Sequence, residues 1–380
     1  MPSSDRVKSE VPFSSNDVRL SLGEWLAAIA IIAVVFVFLP PLWERVERIE
    51  PVGNARMPYS LSNDYWMYGR YARQARDEGK CLVVGDSVVW GHYVEADQTL
   101  SAHLNKLAGK PQFANRGLDG VHPAAMMGLI DYYGRDISHQ KVLVQCNLLW
   151  TGNKRSDLQE KKESTINHPT LIPQFCPKIP CYRETFAGKL GNVIGRYVPM
   201  FAFARHLQMA YFSNTEEKTS DLPSWTMAHP YGNPLSPITL SLPSPLEMPT
   251  PPPDSRPWTA WNPDKVDFPW VELDTSIQWA SFRRTIELLQ ARGNEVFVVV
   301  GPFNEHKLTE KSREIYRKRL EEVGSWLAER KIPHCMASLL PSEEYADGSH
   351  PLADGYARLA RQLFEDREFA KFLARGAISE

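Results

Sequence analysis

The sequence predicts an α/β protein built on a parallel sheet, and two patterns carry the prediction. Short, mostly apolar runs that end in Gly, Asp or Asn recur at 80–86, 111–117, 141–147 and 295–301. Stretches with helical spacing lie between and after them, notably 99–107, 124–133, 310–330 and 354–374. Strands that alternate with helices imply parallel pairing with helices on both faces of the sheet. Composition agrees: 380 residues, 43% hydrophobic and 23% charged, describe an ordinary globular chain with a sizeable core. This excludes a disordered, collagen-like or coiled-coil chain. A net charge of −2 gives no global basic field, so no nucleic-acid partner is expected. Five cysteines are too few for a disulfide scaffold of this size.

Taken from the N-terminus, the first feature is a run at 25–42 without a charged or polar side chain apart from the indole of Trp25. At 1.5 Å per residue it is about 27 Å long, close to the hydrocarbon thickness of a bilayer. Trp25 and Trp43 stand at its two ends, where indole rings favour the interface. The run is apolar all round rather than striped, which argues against a core helix. No small-x-small cleavage site follows it directly, which argues against a removed signal peptide. An uncleaved signal anchor is expected. Arg6, Lys8 and Arg19 precede it and Arg45, Arg48 and Arg56 follow it, so charge does not set its orientation. A short tail before one span with a large domain after it favours an extracytoplasmic domain.

The first two expected strands are 80–86 and 111–117, and the third is 141–147. The run Glu-Val-Phe-Val-Val-Val-Gly from Glu295 is the clearest, and 332–336 is a short fifth candidate. Between strands three and four lies a long excursion. Its second half, 222–270, is rich in proline, with three consecutive prolines at 251–253, and also carries Trp225, Trp258, Trp261 and Trp270. Proline at this density blocks regular helix and central strand. A disordered linker would be poor in aromatics, so an ordered, irregular lobe is expected, with its tryptophans packed or lining a cleft. Cys176 and Cys181 could close a small disulfide loop if the domain is outside the cytoplasm.

Two short motifs carry chemistry. In Gly85-Asp86-Ser87 the serine directly follows a buried strand. It is presented at the strand's carboxyl end beside a helix N-terminus, where backbone N–H groups can hold an anion. In Asp347-Gly348-Ser349-His350-Pro351, before the last helix, an aspartate and a histidine three apart can pair within one loop. A serine nucleophile needs a base, and the base needs an orienting carboxylate. Gly-Asp-Ser is also a common turn, and the second motif alone suits a surface loop. Together, at opposite ends of an α/β chain, they are far more specific.

With these residues the sequence resembles the SGNH, or GDSL, hydrolase superfamily. Gly85-Asp86-Ser87 with Gly91 is similar to its first block, and the stretch from Asn115 to Gly120 to its second. Asp347 to Pro351 with Gly355 is similar to its last block. The third block normally reads Gly-x-Asn-Asp; here it is Gln145-Cys146-Asn147-Leu148, which lacks the glycine and the acid. The resemblance covers roughly 80–150 and 290–365 and leaves out the anchor and the Pro-rich lobe. It implies a three-layer α/β/α, flavodoxin-like fold with strand order 2-1-3-4-5. It also implies Ser87 as nucleophile, His350 as base then acid, and Asp347 as the orienting carboxylate. The oxyanion hole would use the N–H groups of Ser87 and Gly120 and the amide of Asn147, with Gly117 as the competing choice to Gly120.

The expected division is a tail at 1–24, a span at 25–43, a connector at 44–79, and a hydrolase domain at 80–375 interrupted by the insertion at about 151–275. His92 and His122 follow motif residues and are candidates to line the pocket. No paired histidine spacing implies a metal, and no Gly-rich or Walker motif implies a nucleotide cofactor. The expected activity is that of an anchored serine esterase acting on acyl groups of an envelope glycan or lipid. One alternative is O-acyl transfer to a cell-surface polymer with a multi-span acyltransferase as partner. A second is a non-enzymatic polymer-binding module.

Overall fold

The computed structural model describes residues 20–48, 56–213, 222–233, 235–242 and 255–374. The chain divides into two units, 1–47 and 48–380. Most of the N-terminal tail and the proline cluster at 250–253 lie outside the described residues.

The described part of the first unit is one helix, α1 (Leu22–Val46). Ser21 and Glu24 close a capping box at its start: the Glu24 N–H donates to Ser21 Oγ and the Ser21 N–H to Glu24 Oε2. Its most apolar window has a mean hydropathy of 2.6 and only 6% of it is buried. At 25 residues it is long and apolar enough to cross a membrane, a few residues longer at each end than the run suggests.

The second unit opens with α2 (Tyr65–Asp77), then β1 (Cys81–Gly85), α3 (Ser87–Trp90), α4 (Leu100–Ala108), β2 (Phe113–Gly117), α5 (Pro123–Tyr132) and β3 (Lys141–Cys146). The insertion carries α6 (Phe186–Tyr197), α7 (Pro199–Leu207) and α8 (Leu222–Ala228). The chain then returns through α9 (Ile277–Ala291), β4 (Glu295–Val300), α10 (Glu310–Glu329), β5 (His334–Met336), α11 (Ala353–Glu365) and α12 (Arg367–Ala374). Two expectations need correction. The stretch at 44–79 is not only a connector, because α2 buries Tyr68 and Ala72 in the main core. The single closing helix is two helices. Asp366 between them is extended (φ −74°, ψ 127°) and its Oδ1 accepts from the Phe369 N–H at 2.8 Å, which starts α12 afresh.

All five strands are parallel, in the order β2-β1-β3-β4-β5. Side chains alternate across the strands, and both resulting faces are covered. Leu82, Val84, Val142, Val144, Val298 and Val300 pack under α2, α5, α9 and α10, against Tyr68, Leu129, Ile286 and Leu327. Val83, Leu143, Phe297 and Val299 face Leu104 of α4, Tyr356 and Leu359 of α11, and Phe369 and Phe372 of α12. Each such side chain contributes roughly 1.5–3 kcal/mol by leaving water. This is why the strands are apolar throughout. The carboxyl ends of β1 to β4 then form one edge, where a parallel sheet places its sites.

Candidate active site

Gly85 ends β1, and the next turn delivers Ser87 at the first position of α3. Asp86 is the helix cap: its Oδ1 accepts from the Val88 N–H at 2.9 Å. Its Oδ2 accepts from Asn147 Nδ2 and from Trp150 Nε1, both at 2.8 Å. Burial pushes the Asp86 carboxyl up, and these donors together with nearby His350 act against it. Asp86 thus ties the nucleophile turn to the segment after β3.

Across the edge, the loop before α11 brings the second motif to the first. His350 Nε2 lies 2.8 Å from Ser87 Oγ. On the other side of the ring, Nδ1 lies 2.9 and 2.8 Å from the two carboxylate oxygens of Asp347. Since an ionised carboxylate only accepts, Nδ1 donates and Nε2 is left to accept the serine proton. Asp347 Oδ1 also accepts from the N–H groups of Ser349 and His350, at 2.8 and 2.9 Å. Burial alone would raise the Asp347 carboxyl, but the His350 charge and these donors hold it well below the usual carboxylate range. Burial likewise lowers His350, but Asp347 outweighs it, helped by Asp86 and Asp119, and His350 is raised above an ordinary histidine. Ser87, His350 and Asp347, residues from opposite ends of the chain, therefore stand in one relay.

The groups expected to serve as oxyanion donors sit in the turns nearby. Ser87 is the first helical residue, so its N–H has no place in the helical ladder. Gly120 sits in the turn after β2 at φ +71°, a conformation glycine adopts without strain. Gly117 has a different part: its N–H donates to Asn115 Oδ1 at 3.0 Å. A Cβ there would press into the backbone of Val89 and Trp90, 2.7 Å from the Val89 carbonyl carbon. Asn115 Nδ2 in turn donates to Val89 O at 2.8 Å, so Asn115 and Gly117 dock β2 against α3. Asn147 donates one amide hydrogen to Asp86 and accepts from the Leu149 N–H, which leaves its second amide hydrogen for an oxyanion. The departures in the third block are packed away, since Gln145 and Leu148 are both buried.

The two further histidines differ. His92 donates from Nδ1 to Asp119 Oδ1 at 2.7 Å, and its ring lies 5.9 Å from that of His350. It stands at the rim of the relay. His122 is buried: it caps α5 and meets Gln278, so it is a helix cap and not an exposed wall. Burial pulls it down to about 4, which keeps it neutral. Among the described residues no group of three His, Cys, Asp or Glu side chains converges as a metal site.

Sequence reasoning missed several supports. Of the four tryptophans expected to be packed or lining a cleft, Trp258 and Trp261 hold the Asp347–His350 loop, while Trp270 bonds Ser312 and Trp225 packs on Phe212 and His229. Trp258 donates its backbone N–H to Tyr345 O at 2.9 Å and its indole to Ser342 O at 3.0 Å. Trp261 donates its indole to Ala346 O, also at 3.0 Å. Asn304, fully buried after β4, donates Nδ2 to Asp347 O at 2.8 Å. His168, from the insertion, reaches the Asp119 carbonyl at 2.8 Å and braces the turn that carries Gly120. Arg56, which counts only as a flanking charge in the sequence, donates to the carbonyls of Gly91 and Val94 at 2.9 and 3.1 Å and holds the loop after α3. No spacing announces these contacts, because each joins segments far apart in sequence. Cys176 and Cys181 are not bonded to each other: Cys176 is exposed and Cys181 is buried.

No protein-family model and no curated protein matches the chain.

Proposed function

We propose that the chain is a membrane-anchored serine esterase of the SGNH type, which removes acyl groups from a glycan or lipid ester of the cell envelope. The observation that supports it is the relay from Ser87 through His350 to Asp347. The resemblance of the motif blocks supplies the family, and α1 supplies the anchor.

In this mechanism Ser87 Oγ attacks the ester carbonyl carbon as His350 Nε2 takes its proton. Asp347 keeps the ring in the accepting tautomer and stabilises the imidazolium that forms. The carbonyl oxygen becomes an oxyanion facing the N–H groups of Ser87 and Gly120 and the free amide hydrogen of Asn147. Each such donor is worth about 3 kcal/mol in the transition state. Collapse breaks the ester C–O bond, and His350 gives its proton to the departing alcohol. Water, deprotonated by His350, then attacks the acyl-enzyme and releases the acid with Ser87 restored. Transfer would use the same steps with a sugar hydroxyl in place of water.

The test uses the full chain in detergent micelles and a short-chain p-nitrophenyl ester. Ser87→Ala and His350→Ala should each lower kcat by about 10³-fold or more, and a serine-reactive phosphonate should label wild type but not Ser87→Ala. A folded wild type that neither turns over the ester nor takes the label overturns the proposal. If acyl groups appear on an added polyol rather than as free acid, the chain is a transferase.

A further inference from the structure

The insertion presents an apolar stripe that stays largely exposed, although Phe186 meets Phe175 and Tyr197 meets Tyr132 along its border. Phe186, Leu190, Ile194 and Tyr197 recur along α6 at the spacing of one helix face, and Phe201 continues the row on α7. These five large side chains are between 42% and 72% exposed. They are not a face left over from poor packing, because each helix has another face engaged with the domain. In α6, Asn192 donates to Gln174 Oε1 at 2.9 Å and Arg196 to Thr170 O at 2.7 Å. In α7, buried Phe203 meets Trp66 of α2 at 5.8 Å between rings, and buried His206 bonds Asp64 at 2.7 Å.

The chemistry around the stripe selects its partner. Between 178 and 205 the chain carries Lys178, Arg183, Lys189 and Arg205, besides buried Arg196, against a single acid, Glu184. Lys178, Arg183 and Lys189 line one open depression beside the start of α6, with Tyr182, Thr185 and the one acid, Glu184. An apolar helical face flanked by cations and bearing Phe and Tyr is the pattern of a helix that lies in a membrane interface, its cations among anionic headgroups.

The anchor places such a surface within reach. Val46 ends α1, and Met57 is already in the core of the second unit. The stretch between them can span at most about 35 Å even when fully extended. A domain of this size has a radius of gyration of about 20 Å. The domain therefore stays at the bilayer surface, at high local concentration.

We propose that the α6–α7 face docks on the surface of the anionic bilayer that α1 spans, with Phe186, Leu190, Ile194, Tyr197 and Phe201 in the acyl boundary and Lys178, Arg183 and Lys189 on lipid phosphates. The proposal rests on α1 being a membrane span and is independent of the esterase reading.

The test places a nitroxide on the full chain in lipid nanodiscs that contain phosphatidylglycerol in phosphatidylcholine. In a Cys176→Ser background, one label is attached through Leu190→Cys and a control through Lys318→Cys on the exposed face of α10. The expected result is a ratio of oxygen to nickel-chelate collisions several-fold higher at 190 than at 318. That difference should shrink when phosphatidylglycerol is omitted and when Lys178, Arg183 and Lys189 are replaced by Glu. A label at 190 as aqueous as the control, in chains that co-elute with nanodiscs, overturns the docking and leaves the anchor standing. Failure to co-elute overturns the anchor and the docking with it. A label at 190 that is aqueous in nanodiscs but shielded in native membrane patches overturns lipid as the partner and points to a membrane protein.

Discussion

His350 is the residue on which protonation, stability and the proposed activity meet. As a base it must be neutral, and its affinity for a proton is raised above that of an ordinary histidine. Activity should therefore rise with pH along a limb that lies above the free-histidine value of about 6.5. The stability linkage runs the other way. A group whose affinity is raised on folding stabilises the fold below its unfolded value and loses that contribution as pH rises through the folded one. Asp347 is lowered, so its contribution is present above about pH 4 and is lost as pH falls through its depressed value. The pair thus stabilises most between about pH 4 and 6.5, and the proposed activity lies where the His350 part fades. Asp347→Asn should flatten this pH dependence of the melting temperature and lower kcat by about 10³–10⁴-fold, measured by thermal melts and ester turnover across pH. An unchanged melting profile would separate Asp347 from the stability of the loop.

Among the elements, the insertion does more than decorate the sheet. Its Trp258 and Trp261 hold the loop that carries Asp347 and His350, and its His168 braces the Gly120 turn. Trp258 packs with Leu340 and Tyr345 in a small buried cluster, so Trp258→Phe keeps the apolar contact and removes the indole bonds to Ser342. The expected loss is about 1 kcal/mol of stability. A fall of about tenfold in kcat with little change in KM should accompany it, because a misplaced base is felt in the chemical step rather than in ground-state binding. A lowered melting temperature with kcat intact would mean that the lobe stabilises the loop without placing His350.

On the scale of the whole molecule, an apolar helix and a site-bearing α/β unit are joined by a short stretch. The full chain should stay in the membrane pellet after alkaline carbonate extraction, whereas a chain that begins at residue 48 should be released. Release of the full chain by carbonate would show that α1 does not span. The two units also differ in what holds them. The helix makes its backbone bonds within itself except where Pro40 and Pro41 lack an N–H, whereas the α/β unit depends on two buried clusters, one on each face of its sheet.

What the sequence by itself determined were the features written locally. Strand runs, helical spacing, the long apolar helix and the serine and histidine motifs each lie within one continuous stretch, and the strand order followed from the resemblance. The break at Asp366 was not legible, because the apolar stripe continues across it and only the extended backbone and the cap on Phe369 reveal it. Helix α2 was hidden because Arg70, Arg73, Gln74 and Arg76 interrupt, in the sequence, the stripe that Tyr65, Tyr68, Ala72 and Ala75 bury in the main core. Tertiary structure alone decided which groups surround the relay. The clasp of Asn147 and Trp150 on Asp86, the Asn304 bond to the Asp347 carbonyl and the pairing of His92 with Asp119 join residues that are far apart in the chain. A hydrogen bond between distant segments has no period and no spacing. It exists only after the sheet has brought the ends of its strands to one edge.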